Sequence, residues 1–149
     1  MKPSKYNWFM FFKLPSAWWC GVRLHHLEND KAVVRIKHSW FNKNPFKSMF
    51  WAAQGMAAEF STGVLVMEKI QLSKKPISML VANNKANFSK KARGTITFSC
   101  SDGQLIDQAI EKTIASGEGQ KFWMTSKGID LNGDLVSNFE FEWTIKLRK

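Results

Sequence analysis

The stretch from Met49 to Met67 constrains this chain more than any other: 19 nearly apolar residues, broken by Gln54, Glu59, Ser61 and Thr62. About 20 apolar residues suffice to cross a bilayer. A carboxylate at mid-bilayer, however, costs roughly 2.5–3.5 kcal/mol on insertion scales. Glu59 therefore turns the reading from a membrane span to a helix buried inside a soluble domain. Asn44-Pro45 predicts where that helix starts, with Asn as N-cap and Pro at the first helical position, where its missing N–H costs nothing. The helix is expected to run to about Ile70.

Strand patterns flank this helix on both sides. Between Gly21 and Trp40, two short extended runs enclose Glu28-Asn29-Asp30, and the second sets Val34, Ile36, His38 and Trp40 on one face, predicting a hairpin with one buried side. Ile77 to Phe88 predicts a strand, and Gly94 to Cys100 another, with Ile96, Phe98 and Cys100 alternating against Thr95, Thr97 and Ser99. Leu105, Ile106, Ala109, Ile110 and Ile114 recur at helical spacing between a cap at Ser101 or Asp102 and a stop at Gly117. Two final strands close the chain, joined by Asn132-Gly133, the dipeptide favoured in primed hairpin turns. The order is short helix, two strands, long helix, two strands, helix, two strands. It predicts an α+β architecture, an antiparallel sheet curled around the long helix.

Composition narrows the classes. A chain of 149 residues with 44% apolar side chains can build one sizeable core, and no linker or repeat divides it, so residues 1–149 are expected to form a single domain. Cys20 and Cys100 stand alone with no zinc-ligand spacing, and His25, His26 and His38 show none either; neither a metal nor a disulfide is expected. Lys13 and Pro15 interrupt the apolar run at Trp8–Phe12 before it reaches signal-peptide length. Bulky Trp18 and Trp19 stand before Cys20 where lipoprotein processing requires small residues. With neither a leader nor a span, the expected location is the cytoplasm. The formal charge of +10 fits an anionic partner, whether nucleic acid, a membrane surface or a phosphorylated small molecule such as coenzyme A. The excess sits early, with nine basic and two acidic residues in the first 50.

On the long helix, Ser48, Ala52, Gly55, Glu59 and Thr62 form a stripe of small residues with one carboxylate, while Met49, Ala53, Met56, Phe60, Val64 and Met67 form a bulky stripe expected to pack on the sheet. Packing does not explain Glu59. A buried carboxylate either has a partner or carries a raised pKa.

The segment from Asn44 through Pro45, Phe50, Trp51 and Ala52 to Glu59 resembles the central helix of hotdog-fold thioesterases of the phenylacetate-pathway type. Those enzymes carry an Asn, a His-Gly-Gly at the helix start, then an Asp or Glu. Asn44 and Glu59 match in identity and in their 15-residue separation, and the element order matches over nearly the whole chain. Phe50, Trp51 and Ala52 stand where the family has His-Gly-Gly. The likeness is greatest to a thioesterase-like branch grouped as a domain of unknown function.

The resemblance implies an acyl-CoA or related acyl thioester as substrate, with coenzyme A entering as part of it and no other cofactor. It implies Glu59 as the catalytic carboxylate, a backbone oxyanion site at the helix start near Asn44 and Trp51, and Gln54 and Thr62 as candidates for orienting water. Ser48, Ala52, Gly55 and Thr62 would line the substrate site, and Lys90, Lys91 and Arg93 would meet the coenzyme A phosphates. Trp51 and Glu59 are eight residues apart, roughly 12 Å along one helix, too far to act on one carbonyl. The family's homodimer, or a dimer of dimers, would bring one protomer's helix start to the other's carboxylate.

The alternative is a hotdog protein that binds an acyl chain or acyl carrier without hydrolysing it. No nucleic acid is expected, since the aromatic residues fall mostly on apolar faces or in the N-terminal helix and no RNA-binding motif is present. A membrane surface met through Trp8, Phe9, Phe11, Phe12, Trp18 and Trp19 is a further reading. In the hotdog reading those side chains cover the sheet or the pocket mouth.

Overall fold

A computed structural model describes residues 2–148. Two helices open the chain, α1 (Pro3–Lys13) and α2 (Pro15–Trp19), followed by the hairpin β1 (Arg23–Leu27) and β2 (Ala32–Lys37) and a 3₁₀ turn at Trp40–Asn42. The long helix α3 (Trp51–Ser73) leads into β3 (Ile77–Phe88) and β4 (Thr95–Cys100). Helix α4 (Gly103–Ser116) and strands β5 (Gln120–Ile129) and β6 (Leu135–Leu147) complete it. The six strands form one antiparallel sheet in the order β1-β2-β4-β5-β6-β3, and it curls around α3, as the element order predicts.

Alternation determines which faces turn inward. Ala32, Val34 and Ile36 of β2, Ile96, Phe98 and Cys100 of β4, and Phe139, Phe141, Trp143 and Ile145 of β6 are all buried, with Phe60, Val64 and Leu65 of α3 among them. The hydroxyls and amide that interrupt the apolar helix are cross-links. Ser61 Oγ lies 2.7 Å from Ser126 Oγ of β5. On β6, Ser137 Oγ donates to Gln54 Oε1 at 2.9 Å and Trp143 Nε1 donates to Thr62 Oγ1 at 2.9 Å. Gln54, Ser61 and Thr62 are thereby satisfied, which removes a penalty of about 1–3 kcal/mol apiece.

Five local expectations are corrected. The central helix begins at Trp51 and ends at Ser73, so Ser48 and Met49 precede it. Asn44 caps no helix: its Oδ1 accepts the N–H groups of Phe46 (2.9 Å) and Ser48 (3.2 Å), closing an Asx-type turn. The Met49 N–H then bonds Ala92 O at 2.8 Å, pinning this loop to the segment before β4. Asn44→Ala is expected to lower stability by about 1–2 kcal/mol, read as a drop in Tm, because it frees two backbone donors at once.

Strand β2 stops at Lys37, leaving Trp40 exposed. The buried Asn42 ends it by donating to both Lys37 O and Cys20 O at 2.9 Å. Asn132-Gly133 sits in a three-residue loop rather than a two-residue turn. Asp130 Oδ1 accepts the Asn132 and Asp134 N–H groups (2.9 and 3.0 Å), and Gly133 alone takes the left-handed conformation, at φ 83°. Finally, Tyr6 and Met10 of α1 face the core, while Trp8, Phe12 and Trp19 are exposed to solvent and line neither the cavity at the start of α3 nor the one beside Glu59.

Helix α4 stops at Gly117 (φ 72°), as its sequence predicts. Asp102 stands at the N-cap position, but its carboxylate accepts the Thr125 N–H of β5 at 2.7 Å and so ties α4 to the sheet.

Candidate functional site

Glu59 is the exception among the polar residues of the apolar run. Gln54, Ser61 and Thr62 all have partners from β5 or β6, whereas the Glu59 carboxylate has no hydrogen bond or ion pair among the described residues. It lies partly buried beside a cavity of about 250 Å³ lined by Met56, Phe60 and the α1–α2 link from Lys13 to Ala17. Gly63, one turn on, makes room for it: a Cβ there would lie 3.2 Å from Glu59 Oε1 and 3.1 Å from the Trp143 ring. Burial against apolar groups without compensating charge pushes the Glu59 pKa up from 4.5 to about 7. Near neutrality both protonation states are populated, the condition for accepting and returning a proton.

A second cavity, about 530 Å³, lies at the start of α3. Asn44, Ser48, Trp51 and Gln54 line it together with Phe88, Lys90 and Lys91. Trp51 and Ala52 stand in the first turn of α3, where helix N–H groups lack intrahelical acceptors, and neither N–H has another partner among the described residues. The helix dipole adds positive potential at the same place. Arg93 lies beyond this cavity, in an adjoining depression of about 440 Å³ with Lys90, Lys91 and Asp130.

The basic connector is already engaged. Lys90 Nζ contacts Asp130 and Asp134 at 2.7 Å each, and these hydrogen bonds raise its pKa and lower that of Asp130. Arg93 Nε donates to Lys47 O at 3.1 Å, and Lys91 Nζ reaches Phe46 O at 3.5 Å. These contacts hold the Asn44–Met49 loop against the connector.

The structure thus gathers Asn44, Ser48, Trp51, Gln54, Lys90 and Lys91 at one cavity and sets Glu59 at another, with no lining residue in common. Of the small-residue stripe, Gly55 faces the Phe139 ring, which a Cβ there would meet at 3.5 Å, Ala52 is half-buried at the helix start, and the Thr62 hydroxyl is taken up by Trp143 and by Glu59 O. The close neighbours of that stripe are therefore the rings of β6. Sequence reasoning missed the α1–α2 link as a wall of the Glu59 cavity. Its only signal is Pro15, which forces a helix break beside Leu14.

A curled antiparallel sheet wrapped around one long helix defines the protein as a member of the hotdog-fold class. Within that class the chain belongs to the DUF4442 family, a domain of unknown function whose profile matches residues 4–145. No curated relative is recognisable by sequence. Similar solved structures include a Pseudomonas aeruginosa protein of unknown function designated a probable thioesterase, with TM-score 0.80 and 18% identity over 99% of this chain and 97% of that one. A Chlorobaculum tepidum protein of unknown function has TM-score 0.84 and 14% identity, covering 98% and 94%. A Haemophilus influenzae thioesterase has TM-score 0.75 and 9% identity, covering 99% and 92%.

Proposed function

We propose that this protein hydrolyses an acyl thioester, acyl-CoA or a related compound, at a site shared between two subunits. The observation that carries this reading is the unpartnered Glu59 carboxylate, the one polar group of the central helix that the fold leaves free beside a cavity. The thioesterase names of structural neighbours support it.

The chemistry follows from the groups available. Ionised Glu59 takes a proton from water as the water oxygen bonds to the thioester carbonyl carbon. The developing oxyanion needs donors, which the first-turn N–H groups of the partner's Trp51 and Ala52 supply. Collapse of the intermediate breaks the C–S bond, and protonated Glu59 returns its proton to the departing thiolate. Asn44 acts by shaping the loop before the helix, and Gln54, buried and bonded to Ser137, by holding that loop through Met49 O. Lys91 and Arg93 border the entrance where coenzyme A phosphates would approach. No cofactor beyond coenzyme A itself is required.

Two subunits are needed because Glu59 and the helix start lie eight residues apart on one helix. Strand β3 is a sheet edge of 12 residues with exposed Leu80 and Phe88, a row of unpaired backbone groups that a second copy can extend. The protein is expected to sediment as a dimer or larger species at micromolar concentration, and a stable monomer would rule out the shared site.

Bulky Phe50 and Trp51, both exposed at the helix start, favour the second reading, an acyl-binding protein without turnover. Thiol release from a panel of short, long and aromatic acyl-CoA substrates decides between them. Saturable release establishes the hydrolase; thermal stabilisation by an acyl-CoA without release establishes the binder.

A further inference from the structure

We infer that α1, α2 and the 3₁₀ turn form a face that docks on anionic lipid surfaces. Helix α1 is apolar on both sides. Tyr6 and Met10 face the core, whereas Trp8 (64% exposed) and Phe12 (69%) share the outer side, and Phe9 is also exposed. A helix with only one apolar neighbour normally keeps its outer side polar. These rings form a continuous surface rather than scattered exposures: Trp8 stacks on Phe12 with centroids 6.1 Å apart, and Phe11 bridges Phe12 to Trp18 at 4.9 and 5.4 Å. The hydrogen bond from Asn42 to Cys20 O sets the 3₁₀ turn beside the end of α2. Trp40 and Phe41 on that turn and Trp19 on α2 are all exposed.

Charge selects the occupant. Lys13 stands next to Phe12 in the last turn of α1, and Lys43 lies 5.7 Å from the Trp40 ring, while Lys5 turns toward α3, over the Tyr6 ring and bonded to Gln71 at 3.2 Å. The first 58 residues contain only two acids, Glu28 and Asp30. Both sit in the turn at the far end of β2 from Trp40, where Asp30 is paired with Lys69 at 3.2 Å. Tryptophan and phenylalanine rings rimmed by lysine suit the headgroup–acyl boundary, where the rings enter the apolar layer and the ammonium groups meet lipid phosphates. Helix α1, 11 residues and about 16 Å long, is too short to span and would lie in the plane of the surface. No described helix is long and apolar enough to cross a membrane. The link from Lys13 to Ala17 that walls the Glu59 cavity would then stand at the lipid boundary. That consequence rests on the hydrolase reading, whereas the docking does not.

The test is co-sedimentation of the full chain with phosphatidylcholine vesicles, with and without about 30% phosphatidylglycerol. Binding is expected with the anionic vesicles, weakening as salt is raised. Trp8→Ser/Phe12→Ser/Trp19→Ser is expected to weaken it about tenfold or more with an unchanged Tm, since these side chains are exposed. Lys13→Glu/Lys43→Glu, which keeps every ring, is expected to reduce binding to anionic vesicles. Absence of binding to anionic vesicles overturns the inference, as does equal binding by the triple Ser variant. An assembly that dissociates in the triple Ser variant, without vesicle binding by the wild type, would assign the face to a second copy instead.

Discussion

Glu59→Gln is expected to lower kcat/KM for thioester hydrolysis by about two to four orders of magnitude, the range a positioned general base contributes. Glutamine keeps the shape and cannot accept the proton. In the wild type the rate is expected to rise with pH through about 7, as burial holds the Glu59 carboxyl protonated to that point, and to level off above it. The same substitution has the opposite effect on stability. A carboxyl whose pKa is raised on folding binds its proton more tightly in the folded chain than in the unfolded one, so stability falls as pH rises from 4.5 to about 7. Glu59→Gln removes that loss. It is expected to leave stability unchanged near pH 4 and to raise it by about 1–3 kcal/mol at pH 8, measured by urea unfolding. Wild-type turnover in the variant would remove Glu59 from the mechanism; a stability gain independent of pH would show that its burial is not the cause.

Trp143→Ala is expected to be the most destabilising of the substitutions considered, at about 3–5 kcal/mol, or roughly 10 °C in Tm. Trp143 is buried, donates to Thr62 and lies against Gly63 next to the Glu59 carboxylate. Trp143→Phe keeps an aromatic ring but loses the N–H donor and part of the indole that packs on Gly63, for about 1–3 kcal/mol. The alanine variant also opens the apolar side of Glu59 to water, so the midpoint of any pH–rate profile is expected to move down toward the ordinary carboxylate range. A loss below about 1 kcal/mol for Trp143→Ala would contradict the packing described for β6.

The two variants mark a boundary in what a sequence shows. Val34, Ile36, Ile96, Phe98, Phe139 and Ile145 are legible as inward residues because a strand turns alternate side chains to one face. Gly117 is legible as a helix stop because a left-handed residue closes a helix most cheaply without a Cβ. Asn44 misleads because the same side-chain oxygen serves a helix cap or an Asx turn, and the choice falls to Met49 bonding Ala92. The outward rings of α1 mislead because their number implies burial, and only the packing of Tyr6 and Met10 shows which side faces in.

By itself the sequence determined the order of elements, the inward faces of the strands and the presence of a carboxylate on the helix they enclose. These follow from periodicities of two and 3.6 residues, a property of neighbours along the chain. Only the tertiary structure decided that Gln54, Ser61 and Thr62 have partners and Glu59 has none, and that the helix start and Glu59 open into separate cavities. The partners lie 83, 65 and 81 positions away. Which of four polar groups on one helix remains free is set by where distant strands pass, and no local pattern encodes that.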